Sequence, residues 1–284
     1  EMTDMQFAMV DDLRKNKDWQ FFMNVSLGSD RLQHMMFRHC DPTHRRFIKD
    51  SPHLNAIRDF YKYLDKKIGQ LMEELDDDTV LMVVSDHGMV KQEGKINVNN
   101  WLIDQGYLTL TTEFQQELDA AKVAGKKLKL KHQHIDWDKT TAYGGGAYNA
   151  RIIYNKEKLQ KDNIDIPTFE QVLITKLKAI PDDQGKPIET FVYPAKEIYE
   201  QTGHPQCPDL TIYFDDLRWA SNPDLGCDGM YAWETAVGAD NAGHSRQGIF
   251  LIWQKPGEKC TIATKGKMND QNIEQVCPTI MKLM

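Results

Sequence analysis

The tetrapeptide Ser-Asp-His-Gly at residues 85–88 brings together side chains of the types that bind metal ions. It directly follows the apolar run 80–84, whose β-branched and long side chains predict a strand that is buried on both faces. An Asp and a His at the carboxyl end of such a strand lie where open α/β sheets bind ligands. The alternative is a polar turn that only ends a strand, and this motif alone leaves both interpretations open.

A second pair of candidate metal ligands is Asp30 and His34, which follow the strand-like stretch 19–25 and a Gly-Ser turn. If a helix begins near Asp30, their spacing of four residues puts both side chains on one helical face, close enough to share a cation. The alternative is an N-capping aspartate followed by an unrelated surface histidine, because Asp is a good N-cap.

The third candidate element is His244, which precedes the apolar run 249–253, another predicted buried strand. A histidine before a strand is usually a loop residue, but here two other segments already present Asp and His side chains. The candidates form two clusters: Asp30, His34 and His244 in one, and Asp86 and His87 in the other. Ligand sets of Asp and His without Cys suit Zn²⁺, and also Mn²⁺ or iron. Two such ions about 4 Å apart would clamp a phosphorus centre during in-line displacement.

These motifs, in this order, resemble the alkaline phosphatase superfamily, and most closely its type I phosphodiesterase/nucleotide pyrophosphatase branch. The resemblance spans nearly the whole chain and includes Gly243–His244 and the late helical stretch 274–281. It implies an α/β fold with a mostly parallel central sheet sandwiched by helices and an inserted smaller subdomain. It also implies a hydrolase of small phosphate esters that acts by two-metal phosphoryl transfer, with zinc as the expected metal and manganese as the alternative.

In that family the positions of Asp30, His34 and His244 hold one ion. Asp86 and His87 hold the second, together with an early Asp and a Thr or Ser nucleophile. No apolar strand followed by such an Asp precedes the first cluster here, and the chain begins with Glu. We therefore expect the nucleophile upstream of this chain, which would then be the carboxyl-terminal part of a larger enzyme and inactive as a fragment.

Two further residues, Arg31 and His44, are candidate substrate contacts. A phosphodiesterase is the expected activity, and a sulfatase or phosphomutase of the same superfamily is the alternative. The sulfatase signature, Cys or Ser followed by x-Pro-x-Arg, does not occur in this chain, although it would belong to the upstream part. A binding module that holds metal without catalysis is the alternative from another functional class.

The composition limits the partners of this chain. With 35 Lys and Arg against 42 Asp and Glu, the formal net charge of −7 does not favour a general nucleic-acid surface. No apolar run approaches the length of a membrane span. The five cysteines show no Cys-x-x-Cys spacing, which argues against a zinc knuckle. Cytoplasm is the default compartment, with periplasmic or secreted locations as alternatives.

Along the chain, residues 1–100 and 240–284 are expected to build the catalytic α/β core, and 101–239 an inserted subdomain that covers the site. In the core, apolar residues at three-and-four spacing over 57–75 predict an amphipathic helix. In the insert, the Gly run within 143–148 predicts a tight turn at the rim of the active cleft.

The long Gly- and Pro-containing connection 219–240 is a candidate lid. Its aromatic residues Trp219, Tyr231 and Trp233 could stack on a base or a sugar. A plain hydrophobic cover explains them equally well.

Overall fold

The computed structural model describes residues 1–200, 204, 207–226, 229–233, 240–262 and 266–284. The α-helices in these residues are α1 (Met2–Asn16), α2 (Gly28–Cys40), α3 (Ala56–Glu74), α4 (Val98–Asp104), α5 (Thr112–Val123), α6 (Lys156–Lys161), α7 (Ile166–Lys178), α8 (Ala195–Ile198) and α9 (Val276–Leu283). The strands are β1 (Val80–Val84), β2 (Gly88–Lys91), β3 (Gly94–Asn97), β4 (Ala142–Gly145), β5 (Ala150–Tyr154), β6 (Phe191–Pro194), β7 (Leu210–Tyr213), β8 (Trp219–Asn222), β9 (Tyr231–Ala232), β10 (Ala242–Ser245) and β11 (Phe250–Gln254). Among the described helices, none is long and apolar enough to cross a bilayer.

The chain forms two compact units. The first contains Glu1–Met89 and Ser245–Met284, and the second contains Val90–His244. The roles expected from the sequence, a catalytic core for 1–100 with 240–284 and a substrate cap for 101–239, stay predictions.

Helices dominate the first unit, and α3 covers the segment that the three-and-four apolar spacing predicts. Near its end, Glu74 forms ion pairs with Arg14 and Lys15 of α1. Near its middle, the Tyr63 hydroxyl donates a hydrogen bond of 2.7 Å to the Asp4 carboxylate. These polar contacts hold both ends of α1 against α3.

Helix α2 begins at Gly28, and this helix start lies close against its neighbours. A Cβ at Gly28 would lie 2.8 Å from the Phe60 ring of α3 and 3.0 Å from the Thr3 hydroxyl of α1. Glycine lets the backbone come this close, so the contact fixes where the first turn of α2 lies.

The apolar runs that predicted strands form β1 and β11, which pair antiparallel with Val84 opposite Phe250. Their burial differs from the expectation, since Val84 is 39% exposed and Leu251 is 44% exposed. The two apolar runs therefore predicted the strands correctly, but these strands are not buried on both faces.

The expectation of a mostly parallel central sheet is not met by the described residues. β1–β11, β3–β9, β4–β5, β5–β7 and β6–β7 pair antiparallel, and β3–β8 pairs parallel. The reason lies partly in the stretch 19–25, which was expected to be a strand but has no regular structure. Its side chains Phe21, Met23 and Val25 are 49%, 72% and 60% exposed. Small, mostly antiparallel sheets and helices make up this mixed α/β fold.

The second unit is built around a four-stranded antiparallel sheet in the order β4-β5-β7-β6. Its core contains fully buried side chains from the sheet, such as Ile152 and Ile212, and from α7, such as Leu173 and Leu177. A three-stranded sheet, β8-β3-β9, belongs to the same unit, and β2 pairs with β10. Aliphatic side chains from strands and helices thus share one hydrophobic core, which gives the β4–β5 hairpin a rigid base.

Candidate metal site

Asp30 and His34 lie on one face of α2. The Asp30 Oδ1 atom is 3.3 Å from His34 Nε2. Leu27 is the N-cap of this helix, without a side-chain capping bond, and Asp30 lies in the first turn. Asp30 therefore does not cap α2, and the interpretation of a capping aspartate with an unrelated surface histidine is wrong.

The Ser-Asp-His-Gly motif forms a tight turn after β1 that is bonded to the chain before β11. The Ser85 amide donates to the Ile249 carbonyl at 2.9 Å, and the Ile249 amide donates to Ser85 Oγ at 2.6 Å. A Cβ at Gly88 would overlap the Gln247 carbonyl oxygen, and a Cβ at Gly248 would overlap Ser85 Oγ. Two glycines and one small hydroxyl residue thus let the two segments approach closely enough to fix the turn.

The His87 ring lies against a backbone carbonyl. Its Nδ1 atom lies 3.0 Å from the Gly88 carbonyl oxygen. Because a carbonyl oxygen only accepts hydrogen bonds, this contact favours the tautomer with the proton on Nδ1, which keeps a lone pair on Nε2. That Nε2 atom is 4.0 Å from Asp30 Oδ1 and 3.6 Å from Asp86 Oδ2. His87 Nε2 and the Asp30 carboxylate therefore lie where they could share a cation, whereas the Asp86 side chain is 81% exposed.

The spacing and chemistry of these donors fit a divalent cation. Ligands at about 2.0–2.1 Å from a tetrahedral Zn²⁺ lie about 3.3 Å from one another, and Asp30 Oδ1 and His34 Nε2 are 3.3 Å apart. Histidine ligands usually donate their second ring N–H to a carbonyl or carboxylate, as His87 Nδ1 does. Carboxylate oxygens and imidazole nitrogens without a thiolate suit zinc or manganese.

His244 lies in β10 and is the last residue of the second unit. The next residue, Ser245, begins the second segment of the first unit. The Ser245 hydroxyl is 3.5 Å from the place that a Cβ of Gly88 would occupy. The Ser245 side chain therefore lies beside the turn that carries His87.

The model of one family, described as "Type I phosphodiesterase / nucleotide pyrophosphatase", matches residues 2–244. The chain belongs to this family. It is therefore a phosphoric ester hydrolase of the phosphodiesterase/nucleotide pyrophosphatase type. No curated protein and no solved structure matched the chain.

The two candidate substrate contacts of this family member lie in different environments. Arg31 is exposed and follows Asp30 in the first turn of α2. His44 is buried, with 4% of its surface exposed, and its Nδ1 accepts a hydrogen bond of 3.0 Å from the Arg46 amide. The surroundings of His44 favour a role in holding the loop after α2, and its substrate contact stays a prediction.

The aromatic residues of the candidate lid pack mostly into the second unit of this phosphodiesterase. Trp219 is 2% exposed, and its ring and that of Trp233 both lie against Gly94. The Tyr231 hydroxyl donates to the Pro181 carbonyl at 2.8 Å. Trp219 thus belongs to a hydrophobic cover, whereas Trp233 keeps 39% of its surface exposed. Residues 227–228 and 234–239 of the candidate lid lie outside the described residues.

Sequence reasoning missed residues that position the site of this family member. Ser85 belongs to the predicted motif, but its bond to Ile249 and the close approach of Gly248, which fix the turn that carries Asp86 and His87, leave no local signal because the segments are 164 residues apart. Tyr148 stacks on His244, and its only trace in the sequence is its place two residues after the Gly run.

Proposed function

We propose that this hydrolase cleaves small phosphodiesters with the help of two divalent cations, zinc in preference to manganese. One observation carries the proposal: Asp30 Oδ1 lies 3.3 Å from His34 Nε2 and 4.0 Å from His87 Nε2. One cation would be held by Asp30, His34 and His244, and the other by Asp86 and His87. The family match supports the class of reaction, since it makes the chain a phosphoric ester hydrolase.

The protein's own part in the reaction is to present these donors in a fixed geometry. The Gly88 carbonyl holds the His87 ring, whose Nε2 lies 4.0 Å from Asp30 Oδ1 and 3.6 Å from Asp86 Oδ2. Helix α2 holds Asp30 and His34 at their separation without any loop between them. When bound, the cations would stabilise the negative charge that develops on the attacking and leaving oxygens at phosphorus.

Arg31 is the residue we propose for binding the phosphate group. It is exposed and next to Asp30 in the sequence, and a guanidinium can bond two phosphate oxygens at once. A small ester fits the formal net charge of −7 better than a polyanionic nucleic acid does, because an acidic protein repels a polyanion.

The proposal is tested on the full-length protein with a panel of three nitrophenyl esters: bis(p-nitrophenyl) phosphate, p-nitrophenyl phosphate and p-nitrophenyl sulfate. We expect the diester to be hydrolysed fastest, the activity to disappear after treatment with EDTA, and zinc to restore it. Asp30→Asn should abolish the restored activity because it removes one carboxylate charge from the site. Asp59→Asn is the matched control, since Asp59 is an exposed aspartate paired with Arg58 on α3.

Other outcomes of the panel would select another function. Faster turnover of the sulfate ester would indicate a sulfatase, and hydrolysis that survives EDTA would contradict metal dependence. Tight zinc binding without turnover of any ester would favour a metal-binding module that lacks catalysis.

A further inference from the structure

The ring of Tyr148 stacks on the ring of His244. The two ring centroids are 4.6 Å apart and the ring planes are inclined by 28°. Both residues belong to the second unit and both are partly buried. Stacked aromatic rings at this distance restrict each other's rotation, because turning either ring would lose the contact or create a clash.

The backbone of Tyr148 is held in place on both sides. Tyr148 lies in the turn between β4 and β5, where Gly146 has a φ of +88° and a Cβ would overlap the Asn149 carbonyl. In addition, the amide of the buried Ser221 donates to the carbonyl of the preceding residue, Ala147, at 2.8 Å. The turn therefore presents the Tyr148 ring from a rigid support.

The hairpin that carries this turn is anchored by a buried side chain. Asn99 donates to the Gly144 carbonyl at 3.0 Å and accepts from the Gly144 amide at 2.8 Å. Asn99 has no exposed surface, so these two bonds are shielded from water.

The backbone before His244 is also constrained. A Cβ at Gly243 would overlap the Leu217 carbonyl oxygen. That carbonyl belongs to a turn in which Asp215, Asp216 and Leu217 have φ values of 48°, 48° and 71°. Three successive non-glycine residues with positive φ are costly, and such strain persists only where the surrounding structure imposes it. Backbone packing thus fixes the position of His244, and the stacked tyrosine fixes its ring.

We propose that Tyr148 is a positioning residue that holds the His244 imidazole in the orientation in which it binds the cation. The inference rests on the proposed function, in which His244 is a metal ligand. Residues that orient a metal ligand change metal affinity when they are replaced, typically by 10-fold to 100-fold. Stacking is the relevant property of Tyr148, so phenylalanine should replace it without loss.

The experiment compares zinc affinity, measured by competition with a chromophoric chelator, in the wild-type protein and four variants. Tyr148→Leu should weaken zinc binding about tenfold, and Tyr148→Phe should keep the wild-type affinity. Tyr143→Leu is the matched control, because it removes a tyrosine of the same hairpin whose ring packs on Trp137. His244→Ala reports whether the histidine is a ligand at all.

The outcomes separate this inference from the function beneath it. Unchanged zinc affinity in His244→Ala would overturn the ligand assignment and the inference with it. Loss in His244→Ala together with wild-type affinity in Tyr148→Leu would overturn the inference alone. So would an equal loss in Tyr148→Phe, or a Tyr148→Leu variant that raises the KM for the diester without weakening zinc binding.

A second measurement needs no variant at position 148. Stacking under the Tyr148 ring should shift the His244 ring protons upfield in the NMR spectrum of the metal-free wild-type protein, with the signals assigned by their loss in His244→Gln. Ring protons at ordinary histidine shifts would contradict the proposal, even if Tyr148→Leu failed to fold.

Discussion

At the scale of single residues, His87 illustrates how a backbone contact prepares a ligand. The Gly88 carbonyl, 3.0 Å from Nδ1, favours the tautomer with the proton on Nδ1, and Nε2 lies 4.0 Å from Asp30 Oδ1 and 3.6 Å from Asp86 Oδ2. The sequence could predict that Asp30 and His34 lie together, because a spacing of four residues on a helix is sufficient. It could not predict the tautomer of His87, which depends on the path of the turn.

The turn after β1 should not tolerate a side chain at Gly88. A Cβ there would overlap the Gln247 carbonyl oxygen, so Gly88→Ala must displace one of the two segments. We expect the free energy of unfolding to fall by about 1–3 kcal/mol and zinc binding to weaken, since His87 moves with the turn. Chemical denaturation and chelator competition measure the two effects.

Gly69→Ala is the matched control for this substitution. Gly69 lies inside α3, and a Cβ there meets nothing within 4 Å. Alanine favours a helix over glycine, so the control should be stabilised by up to about 1 kcal/mol. A Gly88→Ala protein as stable and as tight for zinc as this control would contradict the description of the turn.

At the scale of secondary-structure elements, helices were easier to predict than sheets. The periodic apolar residues of 57–75 encode α3 locally, so its existence and approximate bounds follow from the sequence. The pairing partner of β1 does not follow from the sequence. Val84 pairs with Phe250, which lies far along the chain, and nothing in an apolar run encodes the direction of pairing. The parallel arrangement expected from the family resemblance was therefore not met in the described residues.

The contact between α1 and α3 should make stability depend on pH. Burial and the hydrogen bond to Asp4 raise the pKa of Tyr63 to about 12. The protonated hydroxyl is thus favoured in the folded state, and its contribution is complete below a pH of about 10 and is lost as the pH rises toward 12. The same bond lowers the pKa of Asp4 from 3.8, so that contribution is lost as the pH falls below this value.

Thermal unfolding of wild type and Tyr63→Phe across these pH ranges measures the effect. The wild-type protein should have the higher Tm near neutral pH, and the difference should shrink both above pH 10 and in acid. In an Asp4→Ala background, which removes the acceptor, the Tyr63→Phe substitution should change Tm little near neutral pH. A difference in Tm between wild type and Tyr63→Phe that is constant across the whole range would argue against the hydrogen bond.

At the scale of the whole molecule, the sequence determined the class of chemistry better than the architecture. The match over residues 2–244 agrees with the resemblance that Asp30, His34 and the Ser-Asp-His-Gly motif indicated. The aromatic residues near the end of the second unit were less informative. Trp219 lies in a Gly- and Pro-containing stretch that predicts a loop, yet it is buried against Gly94. Tertiary packing, which the local sequence does not encode, decides its position.

The most direct test of the central claim is an anomalous difference map at the zinc edge, from crystals of the protein grown with Zn²⁺. We expect two zinc peaks about 4 Å apart, one bound by Asp30, His34 and His244 and the other by Asp86 and His87. His87→Ala should lose the second peak and keep the first. A map without peaks at these side chains, or a His87→Ala protein that retains both, would contradict the account.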